Sequence, residues 1–141
     1  MIIFALMLSM KTRYAMVAMI KLAREYGRGA IAISEIADSE QIPRRFLEGI
    51  LLKLKNVGLV DSVRGKMGGY RLAKELTEIR LSTIITTFEG SVGMLACVCP
   101  QCYRPCEFHK NEEACKLRRT FKYIHQSTFG ILENTTLQDL I

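Results

Sequence analysis

At 141 residues, 49% hydrophobic and 24% charged, the chain has the composition of one small globular domain with appendages, which excludes a disordered polymer. Its net charge of +6 is unevenly placed: residues 1–75 hold 13 Lys and Arg against 7 Asp and Glu, and residues 76–141 hold 7 of each. A basic first half is the footprint expected of a surface that meets a polyanion.

The opening MIIFALMLSM is too short an apolar run to cross a bilayer, which needs ~20 residues. It has neither a basic leader nor a small-residue cleavage site, and Met7 and Met10 are alternative starts. A cytoplasmic protein without membrane association is expected. Residues 10–27 read as an amphipathic helix, with Ala15, Ala18, Met19, Leu22 and Tyr26 at helical spacing and Gly27 and Gly29 ending the run.

A short second helix starts in Ile33-Ser34-Glu35-Ile36-Ala37, with Ser34 as its expected N-cap. After a Ser-Glu-Gln break, Pro43 opens a third helix running to Val57, at the first position, where its missing N–H costs nothing. At about 100° per residue, Phe46, Leu47, Ile50, Leu51, Leu54 and Val57 fall on one side. Arg44, Arg45, Glu48, Gly49, Lys53, Lys55 and Asn56 fall on the other, with Leu52 misplaced among them. Gly58 supplies a left-handed stop. A short helix, a tight turn and a second amphipathic helix form a helix-turn-helix, whose second member enters the major groove of DNA.

Residues 59–63 then read as a strand and 70–73 as its partner, joined by Arg64-Gly65-Lys66-Met67-Gly68-Gly69. A basic hairpin directly after a recognition helix is a wing, and eight basic residues face two acidic ones between Arg44 and Lys74. The candidate DNA-binding set is Ser34, Arg44, Arg45, Glu48, Gly49, Lys53, Arg64, Lys66, Tyr70 and Arg71.

Past the wing, residues 82–88 form a short helix with Ile84, Ile85 and Phe88 inward. All five cysteines then fall within 19 residues: Cys97, Cys99, Cys102, Cys106 and Cys115. Outside an oxidising compartment such clustering means metal or redox chemistry more often than a structural disulfide. The Cys99-Pro-Gln-Cys102 knuckle could hold zinc with Cys106 and either Cys115 or His109, although His109 reads better as a solvent-facing loop residue. A metal-free thiol switch needs only two of the five. Residues 91–112 carry Gly93, Pro100, Pro105 and no helical stripe, so a bound group is expected to order them. From Glu112 to Glu133 a longer helix places Leu117, Phe121, Ile124, Ile131 and Leu132 on one stripe, with Asn134 as its stop. A partner subunit is the natural cover for that stripe, and packing against the first helix is the alternative. There is no phosphate loop and no nucleophile–histidine–carboxylate arrangement, so an enzyme is not expected.

Several motifs together resemble one family: Ile33–Ala37, Ile42–Glu48, Gly58-Leu59-Val60, Ser62–Ala73 with its Gly-Gly-Tyr wing, Arg13-Tyr14-Ala15, and Phe88-Glu89-Gly90. They resemble the bacterial winged-helix transcriptional regulator family of IscR, NsrR and CymR, the Rrf-type regulators, from about Met7 to the C-terminus. The resemblance implies a mainly α fold with a small β-hairpin: a winged helix-turn-helix over 7–75, a connecting helix over 76–96, a cysteine-rich sensor loop over 97–115 and a dimerisation helix over 112–141. It implies a homodimeric repressor or activator, with repression the favoured role, of a partly palindromic double-stranded DNA operator, with base or backbone contacts at Arg45, Glu48, Gly49 and Arg64. It also implies an iron–sulfur cluster, [2Fe–2S], on Cys97, Cys106 and Cys115, with Cys99 and Cys102 as alternatives to Cys97. The gaps from Cys97 to Cys106 and from Cys106 to Cys115 are longer than the family pattern. Arg118 stands where one branch carries a ligating His. Zinc, or no cofactor at all, remains the alternative.

Overall fold

The computed structural model describes residues 7–108 and 110–141, so the opening apolar run up to residue 6 and the reading of His109 lie outside the described residues. Five helices and one hairpin follow each other as α1 Met10–Arg24, α2 Ile33–Glu40, α3 Arg44–Asn56, β1 Val60–Val63, β2 Gly69–Leu72, α4 Leu81–Glu89 and α5 Lys116–Asn134, closed by a 3-10 turn, Leu137–Leu140. The core gathers where α1, α2 and α3 meet the base of the hairpin. Ala15, Ala18 and Met19 of α1, Ile36 of α2, and Leu47, Ile50, Leu51 and Leu54 of α3 are all fully buried. Burying one Leu or Ile side chain contributes about 1.5–3 kcal/mol, so this shared core is what fixes the helix-turn-helix angle.

Helix α1 is capped from both sides of the chain. The Ser9 hydroxyl accepts the Thr12 N–H at 3.2 Å, and the Glu89 carboxylate from the end of α4 accepts the Ser9 N–H at 2.7 Å and the Thr12 hydroxyl. The Thr12 hydroxyl first, and then Ser9, hold the Glu89 carboxyl below its ordinary range. A carboxylate at a helix N-terminus also answers the unpaired amides and the positive end of the dipole.

The sequence places α2, α3 and the hairpin to within a residue or two, and the departures have local causes. Ser34 is not the N-cap of α2: Ala32 occupies that position and makes no side-chain cap, and Ser34 is exposed in the first turn. The reason lies in the wing, because the Ile31 N–H and carbonyl both bond Tyr70 at 2.8 Å, holding the backbone extended up to Ala32. Pro43 is the N-cap of α3 rather than its first helical residue, with ψ 124° and its carbonyl accepting from Phe46 and Leu47. Phe46 and Val57, expected inward, are 56% and 47% exposed. Phe46 lies to the side of the Leu47–Ile50–Leu51–Leu54 stripe and rests against Tyr14, with ring centroids 6.4 Å apart, while Val57 has already left the helix.

The hairpin is antiparallel, pairing Val60 with Leu72, Asp61 with Arg71, Ser62 with Tyr70 and Val63 with Gly69. Its glycines are required by space. A side chain on Gly69, at φ +150°, would overlap the Ile31 carbonyl and come within 2.7 Å of the Ala32 nitrogen. One on Gly68 would sit 2.5 Å from the Val63 oxygen and 2.8 Å from the Gly65 oxygen.

Helix α5 begins at Lys116, not at Glu112, because residues 112–115 form a turn in which the Cys115 N–H bonds the Glu112 carbonyl and Cys115 becomes the N-cap. It packs against α4 rather than α1, and none of its residues is buried. Its far end is anchored: Leu81 N–H bonds the Thr135 carbonyl at 2.8 Å, Leu137 N–H bonds the Ile79 carbonyl at 3.0 Å, and Leu137 plugs the core. Within the described residues no helix is long and apolar enough to cross a membrane.

Replacing Gly69 by Ala should therefore cost more than the ~1 kcal/mol of an ordinary backbone substitution, because the strain falls on the Ile31 bridge as well as on φ. Urea unfolding is the check: Gly69→Ala should lower the midpoint clearly, whereas Gly58→Ala, with positive φ but open space around it, should lower it less.

Candidate nucleic-acid interface and cysteine loop

Helix α3 turns its apolar stripe inward, so its opposite face is necessarily the wet one. Arg44, Arg45, Glu48 and Gly49 are all exposed along its first two turns, with Ser34 exposed in the first turn of α2. Arg44 Nε lies 3.4 Å from Glu48 Oε1, an exposed i,i+4 pair of the kind that contributes only a few tenths of a kcal/mol. Its value is orientation, since it lays one guanidinium along the helix and leaves Arg45 on the adjoining edge. Gly49 has nothing within 4 Å of where a Cβ would be, so at that point the helix presents bare backbone.

The wing carries its charge at the tip. Arg64, Lys66 and Met67 are exposed around Gly65, which turns the chain at φ +111°. The hairpin is braced against α3 by Lys55, whose ammonium donates to the Ser62 hydroxyl at 2.6 Å. Lys55 was absent from the expected site residues. Its signal in the sequence was only its membership of the wet face of α3.

Three expected DNA-binding residues sit differently from the rest. Lys53 places its ammonium 5.2 Å from the centre of the Phe88 ring, a cation–π contact that ties α3 to α4. Tyr70 is half-buried against the core, and its backbone holds Ile31. Arg71 pairs across the hairpin with Asp61, and both line a notch beside Glu25, Tyr26 and Gly29. Tyr70 is thus partly withdrawn from the surface, while Lys53 and Arg71 are exposed together with Ser34, Arg44, Arg45, Glu48, Gly49, Arg64 and Lys66.

The cysteine loop is more self-supporting than its composition suggests. Val98 and Cys99 are buried, a Cβ on Gly93 would meet Cys99 Cβ at 2.7 Å, and Cys99 N–H bonds the Leu95 carbonyl. Cys99 and Cys102 are joined as a disulfide across a Cα separation of 5.3 Å. Sulfurs bonded to one another are not thiolate donors, so neither the C-x2-C zinc knuckle nor the substitution of either residue for Cys97 is available in this state.

The remaining thiols, Cys97, Cys106 and Cys115, are free and half-buried. One ion pair gathers their backbones. Glu112 accepts the Cys106 N–H at 2.8 Å and the Tyr103 hydroxyl at 2.9 Å, and lies 3.6 Å from Arg118 Nε. Arg118 Nε donates to the Cys97 carbonyl at 3.1 Å, and the Arg118 N–H donates to Cys115 Sγ at 3.4 Å. The Cys106 amide, followed by the Tyr103 hydroxyl, holds the Glu112 carboxyl below its ordinary range, and Glu112 in turn raises the Tyr103 phenol. Arg118 thus organises the loop from the first turn of α5. Glu112 was missed as a functional residue in the sequence, where it reads only as the start of the long helix.

The donor chemistry suits an iron–sulfur cluster, but the arrangement does not. Among the described residues no three Cys, His, Asp or Glu side chains converge closely enough to hold a metal ion. The expected set of Cys97, Cys106 and Cys115 is therefore gathered without being assembled.

Comparison with known proteins accounts for nearly the whole chain. The Rrf2 family model, described as an iron-dependent transcriptional regulator, matches residues 8–141. The chain is 36% identical over 138 residues to an rrf2-like HTH-type transcriptional regulator of Rhodobacter capsulatus, covering 96% of this chain and 92% of that one. It is 31% identical to the HTH-type transcriptional regulator IscR of Serratia proteamaculans, covering 95% of this chain and 78% of the other. Among solved structures, CymR, the global cysteine regulator of B. subtilis, superposes with a TM-score of 0.80 at 31% identity, covering 96% of this chain and 95% of that one. These relatives are regulators rather than enzymes.

The pairing of the cysteines has a direct readout. Alkylation of the denatured, unreduced protein, followed by mass measurement, should modify the three free thiols, and prior reduction should expose all five. Five modified thiols without reduction would mean that the Cys99–Cys102 bond is absent.

Proposed function

The chain belongs to the Rrf2 family of transcriptional regulators, and from that premise we propose that it is a cytoplasmic repressor that grips a partly palindromic DNA operator as a homodimer. Helix α3 lies in the major groove with Arg45, Glu48 and Gly49 toward the base edges, and Arg44 and Ser34 beside them. The wing tip, through Arg64 and Lys66, reaches the flanking phosphates or minor groove. The observation that carries this reading is the coincidence of an exposed, arginine-bearing first turn of α3 with a basic wing that Lys55 and the Ile31 bridge hold to the same body.

Dimerisation is supported by α5. It buries none of its residues, and Leu117, Ile124 and Ile131 are 62%, 38% and 68% exposed. A second copy is the partner that removes such a stripe from water, and two-fold symmetry sets two recognition helices ~34 Å apart, one turn of DNA.

Regulation is assigned to the loop over 97–115. In the thiol reading, the Cys99 and Cys102 thiols lose two electrons and two protons to an oxidant such as a peroxide, which is reduced to water, and the disulfide that forms reshapes the loop ahead of α5. The disulfide pairing favours this reading. A second reading, a [2Fe–2S] cluster on Cys97, Cys106 and Cys115, is favoured by their shared attachment to Glu112 and Arg118, and it requires the loop to close further. Protein purified without oxygen separates the two. Matched iron and sulfide, lost in Cys106→Ala and Cys115→Ala, supports the cluster; colourless protein whose DNA affinity follows the Cys99–Cys102 redox state supports the switch.

Gel-shift titration against a selected operator tests the docking face. Arg45→Ala and Arg64→Ala should each weaken binding by ~10-fold or more, and wild-type affinity should fall steeply with salt as counterions are released. Unchanged binding in both variants would remove α3 and the wing from the interface.

A further inference from the structure

Leu52 is the residue that breaks the pattern of α3. It is an apolar side chain, 55% exposed, on the face that otherwise carries Arg45, Glu48 and Gly49. From Arg45 the spacing to Glu48, Gly49 and Leu52 is i, i+3, i+4 and i+7, which is one straight stripe along a helix. A recognition helix lying in the major groove offers base edges the same spacing.

Two features mark this stripe as a surface made for close approach. Gly49, one turn before Leu52, leaves open space where any other residue would put a Cβ. A helix with a gap at its second turn can sit deeper in a groove, bringing the next residue of the stripe nearer the base pairs. Lys53, the long cation next to Leu52, is drawn away over the Phe88 ring, so its charge does not compete for the ground in front of Leu52. The wing tip, through Arg64 and Lys66, supplies the phosphate attraction, which leaves Leu52 as the exposed apolar residue on this stripe of α3.

The apolar feature that B-DNA displays in the major groove is the 5-methyl group of thymine. We propose that Gly49 and Leu52 form an apolar step that reads a thymine methyl in each half-site, so that this protein selects an A·T pair at a position that Arg45 and Glu48 do not contact. The inference rests on the docking of α3 proposed above. Burial of one methyl-sized group is worth about fourfold in affinity.

The test uses duplexes selected by the wild-type protein from a random-sequence pool. Each thymine of the selected half-site is replaced in turn by uracil, which keeps every hydrogen-bonding group and removes only the methyl. The expected result is one position per half-site where uracil weakens the wild-type protein by about fourfold, and where Leu52→Ala binds thymine and uracil equally. Gly49→Gln, which fills the gap with a long polar side chain, should lose the same discrimination. The uracil series on the wild-type protein needs no variant to fold. Salt-sensitive binding without methyl dependence at any position, or methyl dependence that persists in Leu52→Ala, overturns the inference and leaves the docking reading standing. Failure of the wild-type protein to select any duplex overturns both.

Discussion

The arrangement of the molecule turns on one close approach, the backbone of Ile31 against that of Tyr70. Two 2.8 Å hydrogen bonds add an isolated antiparallel bridge to the edge of the hairpin, and Gly69 permits them by offering no side chain to the Ile31 carbonyl. The bridge sits at the point where the chain enters α2, so it joins the wing to the helix-turn-helix instead of leaving the hairpin as a free arm. A two-stranded ribbon is marginal alone in water, and here the bridge, the Lys55–Ser62 bond and the burial of Val60 and Leu72 give it a fixed base. A fixed base is what lets a basic tip and a recognition helix meet DNA in one register.

Helix α4 plays the corresponding part for the second half. Its last turn reaches three neighbours: Phe88 underlies the Lys53 ammonium of α3, Glu89 caps α1, and the helix face meets α5. This gives Phe88-Glu89-Gly90, which stands out in the sequence, a structural part in joining α3, α1 and α5. Gly90, at φ +74°, then turns the chain directly into the cysteine loop.

What could be read from the sequence was whatever depends on local periodicity. The stripe of Leu47, Ile50, Leu51 and Leu54, the glycines of the wing and the break at Gly58 all act within a few residues, and each lies where spacing placed it. The misplacements are tertiary. Ser34 is a good cap residue overruled by a bridge between Ile31 and Tyr70, two residues far apart in the chain, and Phe46 leaves the core because Tyr14 of another helix offers it a flank. The Glu112–Arg118 pair was illegible for the same reason: its meaning comes from Tyr103, Cys106 and Cys97, which a loop without period brings to it. Cysteine clustering announced chemistry at 97–115, but spacing alone could not say that Cys99 and Cys102 pair with each other.

The position of that loop bears on how a chemical event there reaches the DNA face. It is bounded by Gly90 on one side and by the Cys115 cap of α5 on the other, so any change in its length or packing is delivered to both ends at once. At the first end the neighbouring residues are Phe88 and Glu89, which hold α3 and α1. At the second lies the exposed α5 stripe, whose cover would set the distance between two reading heads. The core between α1 and α3 is fully packed and resists small deformations, so a change in the loop is more easily taken up as a shift of α4 and α5 than within the helix-turn-helix. In the proposed dimer, the most compliant response to cysteine chemistry would therefore be a change in the spacing or angle of two intact winged helices, with each recognition helix unaltered.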